Sequence, residues 1–196
     1  DESPFDSELK LMASDIYIEL EDDDTAFQLL EQINQDDPFY MQALLQAADL
    51  YQAQGLFEVA EQKLLEAKQL DPSEQIIDFG LGELYFSIGE YQKAILYYEK
   101  IDNETREKLP VSIADRLGEA YAAAGEYEKS LELFQLNEDS KDPDKLFKYG
   151  LTAFQAGRND ISIKTWEHVI ELDPYYHTVY AYLAKAYENE GMIQEG

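Results

Sequence analysis

Acids are the side chains best placed to do chemistry in this sequence. Forty-two Asp and Glu stand against 15 Lys and Arg, giving a formal net charge of −27. Paired carboxylates can run acid–base catalysis where their surroundings drive their pKa values apart. At this density such pairs occur everywhere, so no single pair is marked out. The run Glu21–Asp24 could attract a divalent cation weakly. It lacks the alternating ligands and turn glycine of a calcium loop and reads as a solvated turn. The two histidines, His168 and His177, show neither metal-ligand spacing nor a partnered nucleophile. Cysteine is absent, which excludes disulfides and thiolate metal sites. The glycines are isolated, so no phosphate-cradling loop forms. The expectation is a protein without catalytic residues, metal or cofactor, and not an enzyme.

The charge also bounds the partners. Nucleic-acid binding depends on Lys and Arg neutralising phosphates, so this surface repels it. Anionic membranes are disfavoured for the same reason, and no apolar run reaches the roughly 18 residues of a membrane span. Hydrophobic residues make up 45%, with 15 Tyr and 9 Phe, which argues for a folded chain. The expected compartment is the cytoplasm, although a start at Asp1 leaves a removed leader open. The acidity is uneven: residues 1–74 hold 19 acids and 3 bases, and residues 75–196 hold 23 and 12. It serves solubility, or steers a basic partner.

The elements carrying these acids repeat. Gly55, Gly89, Gly125, Gly157 and Gly191 are spaced 34, 36, 32 and 34 residues apart. Tyr51, Tyr85, Tyr121 and Tyr187 each lie four residues before one of them, and Ala60, Ala94, Ser130 and Ser162 lie five after. Prolines close the units at Pro38, Pro72, Pro110, Pro143 and Pro174. This pattern resembles the tetratricopeptide repeat family, with about 34 residues and two helices per repeat. The resemblance covers nearly the whole chain and implies an all-α fold, a right-handed superhelix (α-solenoid) of antiparallel helix pairs. The repeats fall at 7–40, 41–74, 75–110, 111–142 and 143–176, with a partial sixth at 177–196. Their eighth residues are all small: Ser14, Ala48, Gly82, Gly118, Gly150 and Ala184.

Close helix packing explains these types. The small eighth residue of the first helix should face the small twentieth of the second, Ala26, Ala60 and Ala94 in repeats 1–3. The glycine should end the first helix in a left-handed conformation. The aromatic at position 11 and the large residue at position 24 (Leu30, Leu64, Tyr98, Phe134, Trp166) should fill the seam between repeats. Proline at position 32 should stop the second helix. Repeat 1 departs from the pattern, with Glu21 at the glycine position. Repeat 5 has Ala153 at the aromatic position, and Asn159 where repeats 2–4 have Phe57, Tyr91 and Tyr127. The last helix keeps Tyr180, Leu183, Tyr187 and Met192 as an apolar face with no second helix to cover it. That face predicts a capping helix, a site for homo-oligomer pairing, or a chain cut from a longer protein. The last is favoured because the repeat stops just after Gly191.

In the resembling family the first helices line a concave face that binds peptides, with positions 5, 9 and 12 on it. Position 9 gives Asp15, Asp49, Glu83 and Glu119, then Leu151 and Lys185. Positions 5 and 12 add Phe79 with Phe86, and Phe147 with Phe154, either as groove steps or as packing against neighbouring helices. The family's carboxylate clamp needs convergent Lys, Arg and Asn. Arg116, Lys148 and Lys185 are scattered and do not match it. The expected function is therefore a non-catalytic scaffold that binds a basic, partly apolar segment of a protein partner in an acidic groove. The alternatives are a peptide-signal-sensing module of a bacterial regulator and a self-assembly module.

Overall fold

The computed structural model describes residues 4–109, 111–135 and 139–191. Pro110 and Met192 lie outside the described residues. Twelve helices occur among them, with no strand. The chain divides into two compact units, residues 1–107 and 108–196. The first unit contains α1 (Pro4–Glu19), α2 (Asp23–Leu30), α3 (Tyr40–Ala53), α4 (Phe57–Leu70), α5 (Gln75–Ser87), α6 (Tyr91–Tyr98) and the short α7 (Asn103–Arg106). The second contains α8 (Ile113–Ala123), α9 (Tyr127–Phe134), α10 (Pro143–Gln155), α11 (Asn159–Leu172) and α12 (His177–Asn189). Each of α1, α3, α5, α8 and α10 packs chiefly on the helix that follows it. No described helix is long and apolar enough to cross a membrane.

The glycine turns form as the spacing predicts. Gly55, Gly89, Gly125, Gly157 and Gly191 all have φ between 67° and 80°. At four of these turns the next residue's N–H bonds back past the helix end, as in Leu56 to the Tyr51 carbonyl at 2.8 Å. This bond satisfies a carbonyl that the helix end leaves unpaired. Repeat 1 makes the same turn without glycine. Glu21 takes φ 58°, and the Asp22 N–H bonds to the Tyr17 carbonyl at 2.9 Å. Asp22 then caps α2 by accepting from the Thr25 N–H.

Packing adds a second contact to the expected one at position 8. A β-carbon on Gly118 would come within 2.6 Å of the Phe134 ring, and one on Gly82 or Gly150 would collide with Tyr98 or Trp166. The glycine therefore makes room for the large residue at position 24 of its own repeat. Repeats 1 and 2 reverse the balance in type, with Ser14 and Ala48 at position 8 and the smaller Leu30 and Leu64 at position 24. Position 20 also approaches closely, since Ser130 Oγ donates to the Gly118 carbonyl at 2.7 Å.

Proline stops the second helix only where it follows directly, at Pro72 after α4 and Pro174 after α11. The α2 helix ends at Leu30, well before Pro38, and Pro143 starts α10 instead of ending α9. The early end of α2 leaves a recess of about 460 Å³ lined by Phe27, Leu30, Ile33, Tyr40, Leu44 and Lys63 among others. The terminal helix is also more covered than expected. Leu183 is buried and Tyr187 packs against the α11 core, so of Tyr180, Leu183 and Tyr187 only Tyr180 is exposed.

Candidate functional site

The groove residues sit on α1, α3 and α5 in the first unit and on α8 and α10 in the second. In the first unit α3 contacts both α1 and α5, so their ninth positions follow one another. Asp15 is exposed and accepts a hydrogen bond from Gln46 Nε2 of α3 at 2.9 Å. Gln46 is held in turn by buried Ser14, whose hydroxyl donates to Gln46 Oε1 at 2.7 Å. Asp49 is also solvent-exposed, yet desolvation by surrounding protein raises its pKa.

Glu83 is half-buried and differs from both. It accepts from the hydroxyl of fully buried Tyr98 at 2.6 Å. Its carboxylate thus satisfies a buried donor as well as facing the first-helix surface. Glu119, in the second unit, is paired with Arg116 at 3.2 Å and with Lys148 of α10. Beside it, Lys145 Nζ donates to Asp115 at 2.8 Å, and that bond raises the Lys145 pKa. The position-9 column therefore contains two open acids, one acid tied to the core and one neutralised by cations.

The aromatic residues are packing residues at least in part. Phe79 lies 6.5 Å from the Tyr98 ring, and Phe86 lies 5.5 Å from Tyr91, edge to face. Phe147 and Phe154 both pack on buried Trp166, at 6.2 and 5.7 Å. Phe147 also meets Tyr176 and Tyr182. All four Phe are half-buried, so each keeps an accessible edge while filling a seam. Tyr176 donates to Asp144 at 2.8 Å, and burial together with that bond pushes its pKa up to about 12.

Sequence reasoning missed the buried pair Lys68–Asp78. Asp78 is 3% exposed on α5 and accepts from Lys68 Nζ of α4 at 2.8 Å, while its Oδ1 has no partner among the described residues. Nothing in the period marks Asp78, because the other repeats have Lys10, Leu44, Ala114 and Leu146 at that position. The pairing of Glu119 with Arg116 was accessible, since the two stand three residues apart on one helix, α8. Among the described residues no group of His, Cys, Asp and Glu is placed to hold a metal ion.

Helix pairs of one period, glycine turns and a close-packed column of small residues define the class: the chain is a tetratricopeptide repeat protein. The profile described as YpiA-like, tetratricopeptide repeats matches residues 52–105. The TPR repeat-containing protein YpiA of Bacillus subtilis (strain 168) is 42% identical over 193 residues, covering 98% of this chain and 46% of that protein. The chain thus spans about half the length of this relative. A tetratricopeptide repeat protein from Parabacteroides merdae has a similar fold (TM-score 0.77, 19% identity, 95% of this chain and 74% of that one). So do PilW, a type IV pilus biogenesis factor (TM-score 0.71, 17% identity, 96% and 92%), and MamA from Desulfovibrio magneticus RS-1 (0.73, 16%, 87% and 97%).

Proposed function

We propose that this chain, whose fold suggests a protein–protein interaction scaffold, binds a basic, partly apolar segment of a partner protein along the first-helix surface of its first unit, in the cytoplasm. The observation that carries this reading is the contrast at position 9. Asp15 and Asp49 are solvent-exposed, and Asp49 is desolvated without a cation beside it among the described residues. An unneutralised, partly desolvated carboxylate gains most from an incoming Lys or Arg, because charge pairs strengthen as water is displaced. Packed helices lie about 8–10 Å apart, and an extended chain advances about 3.3 Å per residue. A fitting ligand therefore presents a basic residue at about every third position. Half-buried Phe79 and Phe86 supply apolar edges on the same unit.

The test is a titration of a peptide with Lys at every third residue against the wild-type chain and an Asp15→Asn/Asp49→Asn variant. The wild type should bind more tightly, with affinity falling as salt rises. Equal affinity for both proteins would sink the reading.

A further inference from the structure

A second surface, away from the groove, carries an unspent packing code. Leu9, Met12 and Ile16 follow one another at intervals of three and four, so they form one stripe along α1, which Leu20 continues just past its end. They are exposed at 48%, 59%, 56% and 67%. The opposite side of α1, with Ser7, Leu11 and Ser14, is already buried. The helix is therefore apolar on two faces, and only one is used.

The same columns are filled elsewhere. Leu9 and Ile16 occupy the third and tenth positions of their repeat. In α3 the third, seventh and tenth positions are Ala43, Ala47 and Leu50, which share a core with Ala26 and Leu30 of α2. In α12 they are Val179, Leu183 and Ala186, which share a core with Trp166 and Val169 of α11. In α5 they are Ile77, Leu81 and Leu84, all at 0% exposure. At both documented junctions this stripe is covered by the second helix of the preceding pair. In α1 the corresponding residues are Leu9, Ala13 and Ile16, and Leu9 and Ile16 have no cover among the described residues.

We propose that the outer face of α1 is an inter-repeat interface, and that in the complete polypeptide it takes the second helix of one more helix pair of this kind. The matched relative is more than twice as long as the stretch it shares with this chain, so relatives of this kind hold further helix pairs' worth of sequence outside that stretch. A second copy of the chain is disfavoured as the occupant. Residues 1–107 carry 26 acids and 6 bases, and pairing two such units sets like charge against like. The flanking Glu8 and Glu19, both exposed, favour a covering helix with an apolar ridge bordered by Lys or Arg.

The chain has no cysteine, so Met12→Cys and Ile16→Cys each introduce a single reporter. Thiol labelling should be fast at both sites in the 196-residue chain at every protein concentration. In the complete gene product it should be about tenfold slower or more, as expected for a site reached only by local opening. A Glu58→Cys control, at an exposed position off the stripe, should label alike in both proteins. Met12→Glu/Ile16→Glu should leave the Tm of the 196-residue chain unchanged and lower that of the complete product. Equal labelling in the two proteins would overturn the proposal. So would protection that appears in the short chain as its concentration rises, which would assign the face to a second copy. An unchanged Tm in the complete product carrying both substitutions would overturn it as well.

Discussion

Residues 1–107 carry 26 acids and 6 bases, whereas residues 108–196 carry 16 and 9. Both units are made of the same helix pair, but their cations do different work. In the first unit Lys68 is drawn inward, where its ammonium meets Asp78 and the Glu74 carbonyl. In the second unit Lys145 and Lys148 stay on the first-helix surface and pair with Asp115 and Glu119. The first unit spends a base on its interior and leaves Asp15 and Asp49 without one. The second keeps its bases on the surface and neutralises the corresponding acids. Thus acidic composition does not by itself make an acidic groove. What matters is which carboxylates lack a nearby cation.

The largest expected effect comes from breaking the inward pair. Lys68→Met leaves Asp78 buried and unpaired, which should cost about 3–5 kcal/mol, the range for breaking a buried ion pair. The double variant Lys68→Met/Asp78→Leu should recover most of that loss, because an apolar pair of similar volume carries no desolvation cost. The surface counterpart Lys148→Met should cost about 0–1 kcal/mol, since its side chain is 53% exposed. Urea unfolding midpoints of the three variants check all of this. Similar losses for Lys68→Met and Lys148→Met would erase the distinction between the units.

Helix-pair packing comes next in size. Gly82→Ala and Gly150→Ala place a methyl against the rings of fully buried Tyr98 and Trp166. Each should lose about 1–3 kcal/mol by overpacking. Pairing the change with a smaller ring partner, as in Gly150→Ala/Trp166→Leu, should cost less than the sum of the two single changes. Repeat 2 already has Ala48 at position 8 and Leu64 at position 24, so that combination of residue types exists in the first unit. A strictly additive double variant, measured in a double-mutant cycle, would refute the compensation.

A smaller effect should separate the two grooves functionally. Lys148→Gln removes one cation from Glu119 and makes the second unit resemble the first. For the Lys-spaced peptide, affinity should rise about two- to fivefold at low ionic strength, in keeping with a surface pair of under about 1 kcal/mol. At high salt the gain should fade. Unchanged binding would place the peptide wholly on the first unit.

Much of this was legible in the residues. The period, the glycine turns and the small position-8 column follow from local geometry, which each repeat states several times over. Even the departure at Glu21 kept the left-handed turn, since the surrounding helices dictate it. Helix ends were harder. Both α2 and α6 have eight residues against fourteen in α4 and α11, and proline placement alone does not reveal this. The position-9 acids were visible as a column, but their partners were not. Tyr98 reaches Glu83 from fifteen residues away, and Lys148 reaches Glu119 from the next repeat. The open apolar face was sought at the terminal helix, where Leu183 and Tyr187 turn inward against α11. An exposed apolar stripe that the repeat pattern did not announce lies on α1, where the amphipathic pattern is doubled and its hydrophobic sides offset each other.

The smallest effect tests the sign of the contrast directly. Desolvation raises the Asp49 pKa above its ordinary 3.8, so the folded chain holds that proton more tightly than the unfolded chain. Ionised Asp49 therefore opposes folding at neutral pH, and Asp49→Asn should raise the urea midpoint slightly. The gain should be complete above the raised folded-state pKa, shrink as pH falls through it, and vanish below the unfolded value, where both states are protonated. Glu119→Gln in the second unit should act in the opposite direction at neutral pH, because it removes contacts to Arg116 and Lys148. That loss should stay within about 1 kcal/mol and diminish with added salt. Opposite signs at one repeat position would mean that Asp49 awaits a cation while Glu119 already has two. Matching signs would mean that the shared first-helix frame outweighs the local charges, and the two grooves would have to be treated as one chemistry.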